Sequence, residues 1–337
     1  MSVLMPVHNA EKFLGMAIES ILNQTLRDFE FVIINDGSTD SSADIIRSYQ
    51  DQRIHLFENP VNVGIVASLN RGLSMAKGDF IARMDADDIS MPTRLEKQLD
   101  FLIHNESIGV VGSKVRFIDH MGKLYHVGFF PKNDSLIRWT MCFSNPMAHG
   151  SIMMRREVVM KAGGYPDSPA EDYNLWEQLS WVTAFSNLPD VLFHLRRHEE
   201  SLVSTRRNQS AILSDSALIS QRRISKVLGE EVPISLVENL RGSAFRKSEG
   251  ALQTAELIRR LVTVYTADKH LILMHEKQHI YNDAARRLLK IMLRPNINPN
   301  HRWQIFQMAY RLDSIVLARV FMRRIGRAIR NLYLSAP

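Results

Sequence analysis

The sequence predicts an α/β fold: a mostly parallel sheet flanked by helices over residues 1–205, then a mainly helical, basic region over 206–337. Three observations predict it. Short apolar runs alternate with amphipathic stretches through the first half, the pattern of parallel strands joined by helices. The apolar runs are continuous, which suits strands buried on both faces. Near Thr205–Gln209 strand signals fade, and helical periodicity and basic residues take over.

The elements follow in order. Ser2–Val7 is a short strand. Glu11–Asn23 places Phe13, Leu14, Ala17, Ile18, Ile21 and Leu22 on one helical stripe. Phe29–Ile34 is a strand ended by Asn35-Asp36-Gly37. Asp40–Tyr49 reads as a helix with Asp40 as its cap. Ile54–Phe57 is a strand, Ile65–Ala76 a helix closed at Lys77-Gly78, and Phe80–Met84 a strand running into Asp85. Pro92–Asn105 is a helix with Pro92 in its first turn. Ile108–Val115 is a strand. Residues 117–150 show no regular period. Ser151–Met154 reads as a strand, Arg156–Ala162 and Glu171–Trp181 as helices, and Val191–Arg197 as a strand.

Composition narrows the class. The chain has 337 residues, 45% hydrophobic and 23% charged, which is ordinary globular usage. The single cysteine, Cys142, excludes an internal disulfide and a cysteine zinc cluster, and fits a reducing compartment. The first residues lack a signal-peptide pattern, and no run of about 18 apolar residues predicts a spanning helix. A cytoplasmic location is expected. The net charge of +6 is uneven. Residues 1–195 hold 17 Lys+Arg against 24 Asp+Glu, a net of −7, and residues 196–337 carry +13.

In an open α/β sheet, ligands bind beyond the carboxyl ends of the strands. Polar groups gather there. Pro6, Val7, His8 and Asn9 end the first strand; Asn35 to Asp40 end the second; Asn59, Asn62 and Gly64 follow the third; Asp85, Asp87 and Asp88 follow the fourth. Three carboxylates within four residues need a counter-charge. A divalent cation supplies one, and hard oxygen ligands suit Mn2+ or Mg2+ better than zinc. Such an ion could neutralise a departing diphosphate. An acidic helix cap is the plainer alternative. Asp36 could accept from a uracil N3–H or close an Asx-turn. Asn62 and Gly64 could line a nucleotide or merely turn the chain. Asp172, beside Glu171 at a helix start, could be a general base or only offset the helix dipole. His198 could ligate a metal or sit on the surface. Neither G-x-G-x-x-G nor G-x-x-x-x-G-K-[ST] occurs, which disfavours a dinucleotide oxidoreductase and a P-loop NTPase.

Together these segments resemble family 2 glycosyltransferases of the GT-A fold. The matching pieces are Val3–Asn9, Phe31–Asp40, Asn62-Val63-Gly64, Gly78–Asp88, His149–Arg155, Gly163-Gly164-Tyr165 with Glu171-Asp172, and Leu195–His198 with Glu199–Leu202. They cover roughly residues 1–205. The resemblance implies a GT-A sheet, an inverting and metal-dependent transfer, and a nucleotide-diphosphate sugar donor, usually UDP-linked. It implies that Asp36 reads the uracil and that Pro6, Val7 and Asn9 shape the base pocket. Asp85 would contact ribose or phosphate. Asp87 would bind the metal with His198. Asp172 would be the catalytic base, and Glu171 would help to place the acceptor. One departure is His149-Gly150, where the family often has His-Pro.

Residues 286–330 hold eleven Lys+Arg and one acid, Asp313, with Ile315, Val316, Val320, Phe321, Ile325 and Ile329 at helical spacing. They form either an amphipathic helix on an anionic membrane or a helical subdomain with a solvated basic face. The expected function is therefore transfer to a glycan or lipid-linked acceptor in surface polysaccharide biosynthesis, at the inner face of the membrane if the first holds. Two rivals stand. A sugar nucleotidyltransferase needs a glycine-rich phosphate loop that Pro6-Val7-His8-Asn9 does not supply. Nucleic-acid binding by the basic half would lack interleaved stacking aromatics and leave the carboxylates unexplained.

Overall fold

The computed structural model describes residues 1–198, 206–241, 248–267 and 273–315. They divide into two compact units, the first of Met1–Met141 with Asn145–Ile219, the second of Cys142–Ser144 with the described residues from Ser220 onward. The helix Arg206–Leu228 runs through the division.

The first unit holds strands β1 (Ser2–Val7), β2 (Glu30–Asp36), β3 (Ile54–Asn59), β4 (Phe80–Arg83), β5 (Ile89–Ser90), β6 (Ile108–Ile118), β7 (Leu124–Gly128), β8 (Met153–Arg155) and β9 (Ala184–Arg196). Its helices are α1 (Glu11–Leu22), α2 (Ser42–Ser48), α3 (Ile65–Met75), α4 (Arg94–His104), α5 (Asp134–Thr140), α6 (Arg156–Lys161) and α7 (Glu171–Leu179). The sheet order is β3-β2-β1-β4-β8-β6-β9-β5, with β7 beside β6. β3, β2, β1 and β4 are parallel, as strand–helix alternation predicts. The short strand β8 then enters antiparallel to both β4 and β6, so the complete sheet is mixed.

Continuous apolar strands supply both faces of this sheet. In β1, Val3, Met5 and Val7 face one cluster with Leu14, Ile18 and Ile21 of α1 and Leu95 and Leu102 of α4. Leu4 faces the other, with Leu69 and Leu73 of α3 and Tyr173 and Trp176 of α7. Both clusters are apolar and buried, and each strand is thereby pinned in register.

Several boundaries move. β2 extends through Asn35 and Asp36, which places that carboxylate on the strand end itself. The helix expected from Asp40 begins at Ser42, and Asp40 Oδ1 accepts from the Ser42 N–H. β9 begins at Ala184, seven residues before the expected Val191, and runs parallel to β6 through irregularities in register. The irregular stretch 117–150 contains β7, α5 and a 3-10 turn at His149–Ser151.

The second unit comprises the end of α8 (Arg206–Leu228) with α9 (Ile234–Arg241), α10 (Ser248–Ala267), α11 (Met274–Met292) and α12 (Pro299–Leu312). Its core includes Ala255, Ile258 and Leu261 of α10, Ile280, Ala284 and Leu288 of α11, and Ile305 and Ala309 of α12. Asn298 caps α12 by accepting from the Asn300 N–H, with Pro299 in the first turn. Thus the described part of the basic 286–330 segment packs its apolar stripe into a helical core. Ile315 is exposed. Val316, Val320, Phe321, Ile325, Ile329 and the basic residues from Arg319 to Arg330 lie outside the described residues, as does Glu199–Leu202.

Candidate active site

The loops after β1 and β2 are stitched together by their own polar groups. Asn9, held at φ 47°, accepts the Thr39 N–H on its Oδ1 at 2.8 Å, and its own N–H donates to Ser38 Oγ at 3.0 Å. His8 Nδ1–H donates to the Asp36 carbonyl at 2.8 Å. Asp40 Oδ2 accepts the Glu11 N–H, and Glu11 returns a carboxylate oxygen to the Ser41 N–H. Val7 lies in the core, so it shapes this edge only through its backbone.

Asp36 is buried and gathers the loop after β3. Its Oδ1 accepts from Asn59 Nδ2 at 2.7 Å and from the Val63 N–H at 2.9 Å; its Oδ2 accepts from the Gly64 N–H at 2.9 Å. Asn62 Oδ1 accepts from the same Gly64 N–H, so Asn62 and Gly64 form a turn at this carboxylate. Gly37 lets that turn close. At φ 61°, a Cβ there would stand 2.4 Å from the Val61 carbonyl carbon. Gly37→Ala is therefore expected to lower unfolding free energy by about 2 kcal/mol through clash and left-handed strain. Chemical denaturation measures it, and an unchanged midpoint contradicts this account.

The acidic loop after β4 carries charge of one sign in low dielectric. Burial first and then Asp85 push the Asp87 carboxyl up from its ordinary value. Asp88, fully enclosed, is raised well above the carboxylate range by burial, Asp87 and Asp85. Two arginines partly offset this. Arg83, fully buried, donates from Nη2 to Asp85 Oδ1 at 2.8 Å and from Nη1 to the Met84 carbonyl. Arg196 donates its N–H to Asp88 Oδ1 at 2.7 Å and its Nε–H to the Asp87 carbonyl at 2.8 Å. His198 Nε2–H donates to Asp87 Oδ2 at 2.9 Å.

Among the described residues no three His, Cys, Asp or Glu side chains form a cation cage. The Asp87–His198 pair nonetheless fits a divalent ion. With Nε2 deprotonated, the pair offers a carboxylate oxygen and an imidazole nitrogen 2.9 Å apart, beside the further carboxylates Asp85 and Asp88. An ion that keeps water and phosphate oxygens requires no fuller protein cage.

The second carboxylate pair opens α7. Asn145 Nδ2 donates to Asp172 Oδ2 at 2.6 Å, and the Tyr173 N–H donates to Asp172 Oδ1. Burial, then the neighbouring Glu171 charge, push the Asp172 carboxyl up to about 6. Glu171 Oε1 lies 3.5 Å from His149 Nδ1, and His149 Nε2 lies 2.9 Å from the Tyr165 hydroxyl. The adjoining Gly150 meets the acidic loop: a Cβ there would stand 2.5 Å from Asp85 Oδ2 and 2.7 Å from Phe193 Cζ. A side chain at position 150 would crowd the Asp85 carboxylate and the Phe193 ring, so glycine lets the two loops approach.

The structure thus groups the expected residues into three connected clusters: Asn9 with the β2 loop; Asp36 with Asn62 and Gly64; Asp85 and Asp87 with His198, joined through His149-Gly150 to Glu171. Sequence reasoning passed over Arg83, Arg196, His149, Tyr165 and Asn145 as site residues. Arg83 had a signal, since an arginine inside the apolar run Phe80–Met84 must find a carboxylate once buried. Asn145 had none.

The model of the family described as Glycosyl transferase family 2 matches residues 2–163. An O-antigen biosynthesis glycosyltransferase, WbnJ of Escherichia coli, is 34% identical over 212 residues, covering 59% of this chain and 80% of that protein. An uncharacterized glycosyltransferase of Haemophilus influenzae is 37% identical over 210 residues, covering 58% of this chain and 65% of the relative, just under two thirds of its length. Among solved structures, S. aureus TarS 1-349, in complex with UDP-GlcNAc, superposes with a TM-score of 0.55 at 17% identity, covering 94% of this chain and 88% of that one. At that identity the likeness is one of fold, and it is the GT-A type of α/β fold that the motifs imply.

Proposed function

The chain belongs to glycosyl transferase family 2, and from that premise we propose that it transfers a sugar with inversion from a nucleotide-diphosphate donor, UDP-linked, to a hydroxyl of a glycan or lipid-linked acceptor in surface polysaccharide assembly. The observation that carries the reading is the meeting of two carboxylate groups at His149-Gly150. One is the crowded Asp85–Asp88 loop. The other is Asp172, raised to about 6, with its partner Glu171.

In this reading the base sits in the pocket stitched by Asn9, Ser38 and Thr39, beside Pro6 and Val7. Asp36 Oδ2, with one bond from Gly64, retains acceptor capacity for the uracil N3–H. Asp85 addresses ribose or phosphate while Arg83 fixes its rotamer. Asp87 and His198 would hold a divalent ion, Mn2+ or Mg2+, which supplies positive charge at the leaving diphosphate. Asp172 takes the proton of the acceptor hydroxyl. That oxygen forms the new bond to the anomeric carbon as the bond to the β-phosphate oxygen breaks, its electron pair leaving with the diphosphate. Attack opposite the leaving group inverts the anomeric centre, the logic of inverting glycosidases run with a phosphate leaving group. Asn145 and the Tyr173 N–H keep the carboxylate aimed. Glu171, tied to His149, borders the same site and positions the acceptor. WbnJ's part in O-antigen synthesis supports the surface-glycan setting, and the UDP-GlcNAc seated in TarS supports the donor class. Family membership sets aside the nucleotidyltransferase and nucleic-acid readings.

A thermal-shift panel tests this. Purified protein meets UDP, GDP, dTDP, CMP, ATP and NADH, each with Mn2+ and with EDTA. Stabilisation by UDP with Mn2+, lost with EDTA, is expected; a ligand present at about 100 times its Kd adds roughly 2.7 kcal/mol. A response to GDP alone replaces the donor class. No response to any nucleotide removes the reading.

A further inference from the structure

The turn between β6 and β7 is built to stand out from the first unit. Asp119 Oδ1 accepts the N–H groups of Met121 and Lys123, and the Asp119 carbonyl accepts from the Gly122 N–H, whose φ of 81° turns the chain back. Phe117 supports the returning strand, stacking on His126 at 5.7 Å and touching Tyr125 at 6.2 Å between centroids. On this scaffold four large apolar residues within nine positions face water: Met121 is 79% exposed, Leu124 47%, Tyr125 58% and Phe129 84%. Isolated exposed apolar residues are ordinary, but four so exposed on one short, ordered hairpin suit a contact surface.

Charge identifies the partner. The first 195 residues carry a net −7, yet residues 114–132 hold Lys114, Arg116, Lys123 and Lys132 against Asp119 alone. That one carboxylate is already occupied by the turn's N–H groups. Lys123 on the turn, Arg116 opposite Val127 and Arg197 against the Phe117 ring outnumber Asp119, so the exposed apolar groups stand in a cationic setting. A sugar chain has little use for Met121 and Leu124, and an acidic soluble ligand has no use for the apolar groups. An anionic bilayer uses both: phosphate headgroups meet the Lys and Arg side chains, and the apolar groups enter the headgroup–acyl boundary, where tyrosine also settles.

We propose that the 119–129 hairpin docks the enzyme on an anionic lipid surface. Its root is coupled to the site. Arg196 Nη1 donates to the Asp119 carbonyl at 3.1 Å, and the same guanidinium's Nε–H reaches the Asp87 carbonyl. Docking there sets the acidic loop beside the membrane, where an acceptor anchored by its lipid presents its hydroxyl. This last consequence rests on the proposed transferase reading; the docking itself does not.

The test is sedimentation of the full chain with vesicles of phosphatidylcholine alone and with phosphatidylglycerol at a third of the lipid. Wild type is expected to partition onto the anionic vesicles, weakening with salt. Met121→Ser/Tyr125→Ser/Phe129→Ser is expected to lose about tenfold or more of that partition, keeping its melting temperature and its nucleotide-induced shift. The comparator Trp303→Ser/Tyr310→Ser removes two exposed aromatics of α12 and is expected to leave partition unchanged. Equal sedimentation of the hairpin variant overturns the proposal, as does a loss confined to the α12 variant. Wild-type dimers that ignore vesicles, with a monomeric hairpin variant, also overturn it in favour of contact between two copies. Absence of a nucleotide shift in wild type counts against the transferase reading alone.

Discussion

Asp172→Asn is expected to leave UDP binding intact and to reduce kcat by about 10²–10⁴-fold, the contribution of a positioned general base. The amide keeps the size of the carboxylate and an oxygen for the Asn145 donor, so the pocket stays filled. It cannot take a proton. Donor affinity survives because the hydrogen bonds of Asp172 run to Asn145 and the Tyr173 N–H, not to the loops after β1, β2 and β3 assigned to the base. The wild-type pH profile gives an independent reading. Burial and the Glu171 charge hold the proton on Asp172 up to about pH 6. The base works ionised, so kcat should be flat above that value and fall about tenfold per pH unit below it. Stability runs the other way. A carboxyl raised in the fold contributes stability that is complete below its unfolded pKa and is lost as pH rises through about 6. The functional state at neutral pH is thus maintained against a local cost, with Asn145, the Tyr173 N–H and His149 opposing it. Wild-type turnover by the variant, or an acid limb that persists unchanged in it, removes Asp172 from the role.

The parallel block and its edge loops were legible because their signals are local. β1 and β2 are unbroken apolar runs, and the groups that end them, Asn9 and Asp36, follow within a few residues. β9 was half-read because Ser186-Asn187 interrupt its apolar run; Asn187 is nonetheless buried, its Nδ2 donating to the Pro131 carbonyl. β7 escaped because Leu124, Tyr125 and His126 are all exposed, so no alternation marks an inner face. The site residues that escaped share another cause: their partners are remote in sequence. Three clustered carboxylates call for counter-charge, and sequence reasoning assigned it wholly to a metal. Part of it comes from Arg83 and Arg196; the second, 108 residues from Asp88, meets it with a backbone N–H as well as with its charge. Chain closure across β9 brings them together, which no local pattern encodes.

Loss of Arg83 is expected to cost both stability and nucleotide affinity. Its guanidinium is fully buried, while the Asp85 side chain it grips is 33% exposed. Arg94, also buried, donates to the Arg83 carbonyl, and its guanidinium lies 5.1 Å from the Phe193 ring centre. Burial first and then Arg83 lower Arg94 to about 9, with Asp85 and Asp88 opposing the shift. Arg83→Met leaves Asp85 without its partner and removes positive charge from beside Asp88. Breaking a wholly buried pair costs about 3–5 kcal/mol, and solvent at Asp85 reduces the expectation to about 2 kcal/mol. Nucleotide affinity should fall about tenfold or more, because Asp85 loses its fixed rotamer and the acidic loop holds its protons to higher pH. Stability and binding separate in the double variant with Asp85→Asn. Removing both charges relieves the unpaired group, so unfolding free energy should recover toward wild type. Affinity should not recover, since the oxygen that addresses the nucleotide is gone. Denaturant unfolding and isothermal titration with UDP and Mn2+ complete the cycle. Strictly additive stability losses would show that the buried arginine and this carboxylate act independently, and the metal would again be the sole counter-charge that the acidic loop requires.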